Sequence, residues 1–107
     1  MTNTGRRPIG IDIDRLIHEP ARLVLMANLA VVDEADFVFL SRQSGFTAGN
    51  ISSHMARLEE AGYVRVAKGF VGKRPRTVYS LTKQGRKAFQ RYRGEVAGLL
   101  DPEQGDQ

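Results

Sequence analysis

The chain has 107 residues and a mass of 11.9 kDa, which is the size of one domain with a single modest core. Its composition, with 41% hydrophobic and 26% charged residues, is that of an ordinary globular domain, and no apolar run reaches the roughly 18 residues that a membrane span needs. Cysteine is absent, which excludes disulfides, thiolate metal sites and thiol redox chemistry. No apolar signal core follows the N-terminal residues, so we expect a cytoplasmic protein.

The net charge of +4 is unevenly distributed along the chain. Residues 61–94 hold ten basic side chains and no acidic one, whereas the rest of the chain carries six basic and twelve acidic side chains. A concentrated positive region on an acidic body is typical of a protein with a polyanionic partner, most often a nucleic acid. A plain solvated basic surface is the alternative interpretation.

The first predicted element is a short helix that Asp12 or Asp14 caps and that stops near His18. Pro20 suits the first turn of a second helix, where its missing N–H costs nothing. This second helix continues over residues 21–31 and is apolar nearly all round. Such a helix is buried on more than one side, and in so small a domain this predicts contact with a second subunit.

The middle of the chain predicts two helices joined by a tight turn. Residues 37–44 form the first helix, although a short strand would also hold their apolar side chains. Gly45 ends this element, and Phe46 is an apolar plug in the turn. Thr47 caps the next helix, which Gly62 closes. This order is the helix-turn-helix arrangement.

A β-hairpin and a last helix complete the predicted order. Residues 63–70 and 76–81 are rich in β-forming side chains and flank a turn at 72–75, and Thr82 caps the last helix. Gly85 is expected to allow this helix to pack closely. An apolar stripe along the helix is expected in the core or in a dimer interface, and it consists of Phe89, Tyr92, Val96, Leu99 and Leu100.

The second helix of the central pair has two distinct faces. Ile51, Met55 and Leu58 recur at helical spacing and must face the core. The opposite face carries short or forked hydrogen-bonding side chains, which suit base edges and phosphates in a major groove. The DNA-contacting residues predicted here are Thr47, Gly49, Asn50, Ser52, Ser53, His54 and Arg57. A solvated face is the alternative, but the mixed glutamates and lysines of such a face are missing before Glu59.

The hairpin that follows is basic around a glycine turn. A hairpin with a basic tip after a recognition helix is the wing of a winged helix, which clamps phosphates or enters a minor groove. The wing residues predicted to contact DNA are Lys68, Lys73, Arg74 and Arg76. The expected fold class is therefore mainly α with a small β-hairpin, in the order α-α-α-α-β-wing-β-α. It occupies residues 8–100, with flexible tails at 1–7 and 101–107.

Two further expectations concern packing. Phe70 and Tyr79 are predicted to pack the root of the hairpin on the core. Arg22 lies near the start of an apolar helix, so we expect it to form a structural ion pair with Glu19 or Asp33.

Catalytic and cofactor chemistry has little support in the sequence. The serines of the central helices lack a histidine and an acid placed for a relay, and the glycines at 69 and 72 lack the spacing of a phosphate-binding loop. His18 and His54 fall in different elements, so no metal site is expected. We therefore expect no enzyme activity, no cofactor and no association with membranes.

Three segments resemble compact bacterial and archaeal winged-helix regulators related to the MarR and ArsR groups. Residues 18–25 (HEPARLVL) resemble their opening helix, residues 47–64 (TAGNISSHMARLEEAGYV) look like their recognition helix and exit strand, and residues 68–89 (KGFVGKRPRTVYSLTKQGRKAF) look like their wing and closing helix. The resemblance covers roughly residues 15–95 and implies a homodimeric, sequence-specific transcriptional regulator.

By that resemblance, Gly49, Asn50, Ser52, Ser53, His54 and Arg57 fall on DNA-reading positions, and Lys73, Arg74 and Arg76 fall on the wing. Two recognition helices of a homodimer would read a pseudo-palindromic operator in double-stranded DNA. A small-molecule effector is left open. The competing hypotheses are a winged helix that docks on another protein and one that binds RNA. Five basic residues and no acid between Arg65 and Arg76 favour nucleic acid over protein docking.

Overall fold

The protein is described by a computed structural model that covers residues 13–101. Its helices and strands are α1 (Pro20–Ala30), β1 (Ala35–Asp36), α2 (Phe37–Ser44), α3 (Ala48–Glu60), β2 (Val64–Val71), β3 (Arg74–Leu81) and α4 (Lys83–Leu100). Asp12, the tail at 1–7 and residues 102–107 lie outside the described range. The helix-turn-helix followed by a hairpin and a closing helix confirms the expected fold class.

Each of the four helices begins at a residue whose side chain accepts a backbone N–H of the first turn, which satisfies a donor that the helix leaves free. The capping residues are Glu19 for α1, Asp36 for α2, Thr47 for α3 and Thr82 for α4. Gly45 ends α2 at φ 75°, in the left-handed region that glycine adopts at little cost. The predicted caps Thr47 and Thr82 and the predicted stop at Gly45 are therefore confirmed.

The helix predicted to end near His18 is not formed by the described residues, which make a single turn there. The Asp14 carboxylate accepts hydrogen bonds from the backbone N–H groups of Leu16 and Ile17 (2.9 and 3.2 Å), and its carbonyl accepts the N–H of His18. Glu19 is extended (φ −144°, ψ 130°) because the following proline disfavours helical backbone at that position. The turn therefore cannot continue into α1.

The sheet contains one strand that the sequence did not predict. Its order is β1-β3-β2, and both pairs are antiparallel. The two residues of β1, Ala35 and Asp36, lie opposite Tyr79 and Val78. A strand of two residues has too little periodicity to be visible in a sequence.

The hairpin is also longer than predicted. The strands β2 and β3 pair from Val64 opposite Leu81 to Val71 opposite Arg74. Arg74 and Pro75 therefore belong to β3 rather than to the turn, which consists of Gly72 (φ 62°) and Lys73. A two-residue turn fits tightly paired strands when glycine supplies the positive φ.

The core lies where α1, α2 and α3 meet the root of the sheet and the first half of α4. Its fully buried side chains are Ile17, Leu25, Met26, Leu29, Leu40, Ile51, Met55 and Leu58. Tyr79 is buried as predicted, but the prediction for Phe70 is wrong because 73% of its surface is exposed. Four residues of strand, about 13 Å, separate Phe70 from the partly buried Val66, which carries Phe70 past the end of the core.

Two glycines of α4 give a matched test of how closely this helix packs. A Cβ at Gly85 would lie 2.0 Å from the carbonyl oxygen of Tyr63, whereas a Cβ at Gly94 meets nothing within 4 Å. Gly85→Ala should lower the free energy of unfolding by about 1–3 kcal/mol because backbone must move apart. Gly94→Ala should raise it by about 0.5–1 kcal/mol because alanine is the better helix former. Urea denaturation followed by circular dichroism measures both, and equal stabilities of the two variants would contradict the close contact.

Candidate nucleic-acid interface

The helix α3 presents most of its predicted contact residues to solvent. Ile51, Met55 and Leu58 are buried, which confirms the predicted core face. The opposite side of the helix, which begins at its cap, is polar and without acid up to Glu59. Its exposed members are Thr47, Gly49, Asn50, Ser52, Ser53 and Arg57, while His54 is half-buried. Spacings of three and four residues bring Asn50, Ser53 and Arg57 onto one face of the helix.

Thr47 has a structural duty as well as a place at the interface. Its hydroxyl oxygen accepts the backbone N–H of Asn50 at 3.2 Å, which starts the helix. A hydroxyl that accepts one hydrogen bond still has its own proton to donate. Thr47 can therefore cap α3 and donate to an acceptor outside the protein at the same time.

His54 is held by a buried arginine from α1. Nη1 of Arg22 lies 3.3 Å from Nδ1 of His54, and Nε of Arg22 donates to the carbonyl of Leu16. Because a guanidinium only donates, this hydrogen bond forms with the tautomer of His54 that accepts at Nδ1 and carries its N–H at Nε2. His54 thus presents an N–H donor on the side of its ring that faces away from Arg22.

The expected ion pair of Arg22 with Glu19 or Asp33 is not formed among residues 13–101. The carboxylate of Glu19 accepts the backbone N–H of Arg22 at 2.8 Å, while the guanidinium turns to Leu16 and His54. That backbone hydrogen bond is the main cause that lowers the pKa of Glu19; burial opposes it, and the nearby His54 and Arg22 side chains add to it. Sequence reasoning missed the role of Arg22 because the partners lie in separate elements.

The two faces of the hairpin divide the predicted wing residues. Residues directly opposite one another in an antiparallel pair point to the same face. Arg74 lies opposite Val71 and Arg76 opposite Gly69, on one face, and Arg65 shares that face opposite Ser80. The other face carries Lys68 opposite Thr77 and Phe70 opposite Pro75, while Lys73 lies in the turn. All four predicted wing cations are exposed, but they do not form a single row.

Arg65 and Phe70 are exposed on the wing but were not among the residues predicted to contact DNA. Arg65 is exposed and belongs to the face of Arg74 and Arg76, which the period of two along paired strands reveals once the register is known. Phe70 and Val71 are 73% and 61% exposed near the tip. The end of the wing is therefore both cationic and apolar.

One ion pair fastens the root of the wing to the helix-turn-helix. Nη2 of Arg76 lies 3.3 Å from Oδ2 of Asp36, whose other carboxylate oxygen accepts the N–H of Phe39 at 2.9 Å. The hydrogen bond from Phe39 is the main cause that lowers the pKa of Asp36, and the hydrogen bond from Arg76 lowers it further against the effect of burial. Arg76 is therefore partly neutralised by Asp36, whereas no carboxylate of residues 13–101 lies within salt-bridge distance of Lys73 or Arg74.

Metal and membrane features are missing from the part of the chain that the structure describes. Between residues 13 and 101, no three histidine, aspartate or glutamate side chains are grouped as a metal site would need. No helix in that range is long and apolar enough to cross a membrane. The expected absence of cofactors and the cytoplasmic location stay predictions.

Comparison with known proteins gives a family and a fold. A family model described as a winged helix DNA-binding domain matches residues 21–100. The uncharacterized protein MJ0432 of Methanocaldococcus jannaschii is 29% identical over 85 residues, which are 79% of this chain and 92% of that protein.

Two solved structures have a similar fold. A transcriptional regulator homologue from Pyrococcus horikoshii OT3 superposes with a TM-score of 0.77 at 29% identity, over 83% of this chain and 88% of that one. A protein described as a MarR-family transcriptional regulator from Porphyromonas gingivalis W83 gives a TM-score of 0.66 over 90% and 98% of the two chains, and at 15% identity it shows the fold alone. The resemblance found in the sequence is thereby confirmed.

Two variants of Asp36 separate its cap from its ion pair. Asp36→Ala removes both and should lower the free energy of unfolding by about 1 kcal/mol. Asp36→Asn keeps a capping oxygen and loses the ion pair with an exposed arginine, so it should cost less than about 0.5 kcal/mol. Urea denaturation at neutral pH measures the two changes in the free energy of unfolding. A loss for Asp36→Asn that equals the loss for Asp36→Ala would show that the ion pair, and not the cap, provides the stability.

The same residue predicts a dependence on pH. The pKa of Asp36 in the folded protein lies below the ordinary value of 3.8, so its contribution is complete above that pH and is lost as pH falls through the lowered pKa. The stability difference between the wild type and Asp36→Ala should therefore shrink in acid. Denaturation curves recorded from neutral to strongly acidic pH test this, and a constant difference would overturn it.

Proposed function

Because the chain belongs to the family of winged helix DNA-binding domains, we propose that it is a homodimeric transcriptional regulator which binds specific sequences of double-stranded DNA. The observation that carries this proposal is the acid-free, exposed face of α3 next to an exposed basic hairpin. The Pyrococcus regulator homologue, which shares the fold and 29% of its residues, supports the regulatory role.

In this proposal, α3 lies in the major groove and reads bases. Asn50 and Arg57 are exposed on one face, and a side-chain amide or a guanidinium can make paired hydrogen bonds to purine edges. His54 offers the N–H of Nε2 to a phosphate or a base acceptor, because Arg22 occupies Nδ1. Thr47, Gly49, Ser52 and Ser53 complete the proposed contact surface at the start of the helix.

The wing positions the protein on the DNA backbone. Lys68 and Lys73 are exposed cations suited to phosphates, and Arg74 is placed beside the turn where it can enter a minor groove. Arg76 contributes less in this proposal because Asp36 already pairs with it. If each protomer neutralises about 3–5 phosphates, the dimer should show a log–log salt slope of about −5 to −9.

A dimer interface is proposed at the second half of α4. The buried residues of this helix end at Tyr92, although the helix continues to Leu100. Eight further residues extend it by about 12 Å, and Leu100 at the end is 78% exposed. Pairing of this segment with a second copy would bring two α3 helices to half-sites about 34 Å apart on a pseudo-palindromic operator.

A second candidate function is docking on another protein. The observation that favours it is the exposed pair Phe70 and Val71 near the tip of the wing. Exposed aromatic and aliphatic side chains are typical of protein contact surfaces. The cations around this pair favour DNA, because an apolar side chain flanked by cations can also insert between base steps in a minor groove.

Two alanine variants distinguish base contacts made by α3 from phosphate contacts made by the wing. Asn50→Ala should cost about 1–3 kcal/mol on the cognate site and little on random DNA, because a lost base contact is specific. Lys73→Ala should weaken both DNAs alike and reduce the magnitude of the salt slope by about two, because the dimer loses one phosphate contact in each protomer and each contact releases a counterion on any sequence. Binding isotherms on both DNAs at two salt concentrations provide the measurement.

The control is Arg15→Ala, which removes an exposed cation from the turn before α1, outside α3, the wing and the proposed dimer interface. It should leave both affinities nearly unchanged. Equal losses on both DNAs for Asn50→Ala and Lys73→Ala would show that the assignment of reading helix and positioning wing is wrong. A salt slope near zero would instead remove DNA binding and favour the docking function.

The proposed dimer predicts the effect of a charge at the end of α4. Leu100→Glu should convert a dimer into a monomer, because it places an unpaired carboxylate in the apolar contact without disturbing the core. Light scattering at micromolar concentration measures the mass. Val38→Glu, on the 51% exposed Val38 of α2, is the matched control and should remain dimeric. A wild-type monomer, with and without DNA, would overturn the proposal.

A further inference from the structure

A basic cleft lies on the side of the domain formed by α4 and the start of β2. Its volume is about 490 Å³, within the range of small-molecule sites. It is lined by Tyr63, Lys83, Gln84, Lys87, Ala88 and Arg91. None of these residues belongs to the proposed DNA contacts on α3 or the wing.

Three cations line this cleft, and their spacing along α4 places like charges next to one another. Lys83, Lys87 and Arg91 follow one another at four-residue intervals, so they are neighbours on one side of α4. Like charges at that spacing destabilise a helix. Among residues 13–101, none of the three has a carboxylate within salt-bridge distance. The arrangement therefore concentrates positive charge that the described chain does not neutralise.

The carboxylate of Asp14, which contacts Tyr63 of the cleft, is already occupied. The hydroxyl of Tyr63 donates to Oδ2 of Asp14, and Oδ1 of Asp14 accepts the N–H groups of Leu16 and Ile17. Desolvation and the contact with Asp14 raise the pKa of Tyr63 to about 12, against the effect of Arg91, so the phenol stays neutral. Tyr63 and Ala88 then give the cleft an uncharged wall beside its cations.

The cleft adjoins the C-terminal end of α3. The N–H of Tyr63 donates to the carbonyl of Leu58, and its carbonyl accepts the N–H of Thr82. Of the proposed base contacts, Asn50 lies near the other end of this 13-residue helix, which is about 20 Å long, whereas Arg57 lies in its last turn. The residues that line the cleft belong to α4 and to the segment before β2, and none of them is on the exposed face of α3 or on the wing.

We propose that this cleft binds a small organic dianion, with Lys83, Lys87 and Arg91 sharing its negative charge. Two ammonium groups and a forked guanidinium can surround two acidic oxygens on one ligand, and charge-assisted hydrogen bonds of this kind are the strong ones. The shared chemistry is a doubly charged headgroup, which a dicarboxylate or a phosphate ester can supply. A duplex is not the proposed ligand, because no residue that lines the cleft belongs to α3 or to the wing.

The test titrates the full chain with inorganic phosphate and with succinate, at constant ionic strength and without DNA, and follows backbone amides by NMR. Saturable shifts are expected at Tyr63 and at the first turns of α4, with acetate and chloride as weaker monoanionic probes. The stronger of phosphate and succinate identifies the class of headgroup. Shifts that do not saturate, or that equal those caused by chloride, would overturn the proposal.

Two substitutions make the result specific to the cleft. Arg91→Gln should weaken binding of the better probe at least about tenfold, because it removes a charged hydrogen-bond donor. Arg93→Gln makes the same change of charge two residues away, outside the cleft lining, and should keep affinity within about twofold. Equal losses in both variants would reveal diffuse attraction to the basic helix and overturn the site.

Titration with a duplex then separates this proposal from DNA binding. Amides at the start of α3 and in the wing should respond to the duplex, while those of the cleft should still respond to phosphate or succinate afterwards. Displacement of the small anion by the duplex would overturn the cleft as a separate site. Failure of DNA binding alone would leave the anion titration unaffected, so the two proposals fail independently.

Discussion

The rotation of α3 about its own axis is the constraint on which the interface depends. Ile51, Met55 and Leu58 are buried along one side of the helix. Rotating the helix would expose these three side chains, each of which gains about 1.5–3 kcal/mol from burial. Once these three side chains are packed in the core, the direction in which the polar side of α3 faces is fixed. A hydrophobic contact thus decides which side chains meet the solvent, and DNA recognition is a consequence of core packing.

Polar contacts then refine what packing establishes. Arg22 is buried in α1 and links the turn before that helix to His54 on α3. A buried guanidinium is tolerated because its partners are close, and its loss would leave the Leu16 carbonyl without a donor. Asp36 has a similar position between elements, since it starts α2 and holds Arg76 of the wing. Helix, turn and wing are therefore connected by side chains that each serve two elements.

Positive charge is used in two distinct ways on this small domain. The cations of the wing lie on a hairpin that projects past the core. Their long side chains can reach a partner there without giving up contacts with the core. The cations of the cleft stand on a packed helix and converge beside Tyr63. The first arrangement suits an extended polyanion, and the second suits a compact one. A single net charge of +4 conceals this division.

The sequence by itself determined the helices α1, α3 and α4, the caps at Thr47 and Thr82, the stop at Gly45 and the core face of α3, because each depends on residues within one or two turns. It left residues 37–44 open between helix and strand, and it predicted a helix before α1 that is not formed. The tertiary structure alone decided the strand β1 and the exposure of Phe70, since these depend on where other elements end. It also decided the contacts of Arg22 with His54 and of Arg76 with Asp36, whose partners lie 32 and 40 residues apart. Local spacing predicts which side of a helix is polar, but only packing brings distant residues together and leaves others, such as Phe70, exposed to solvent.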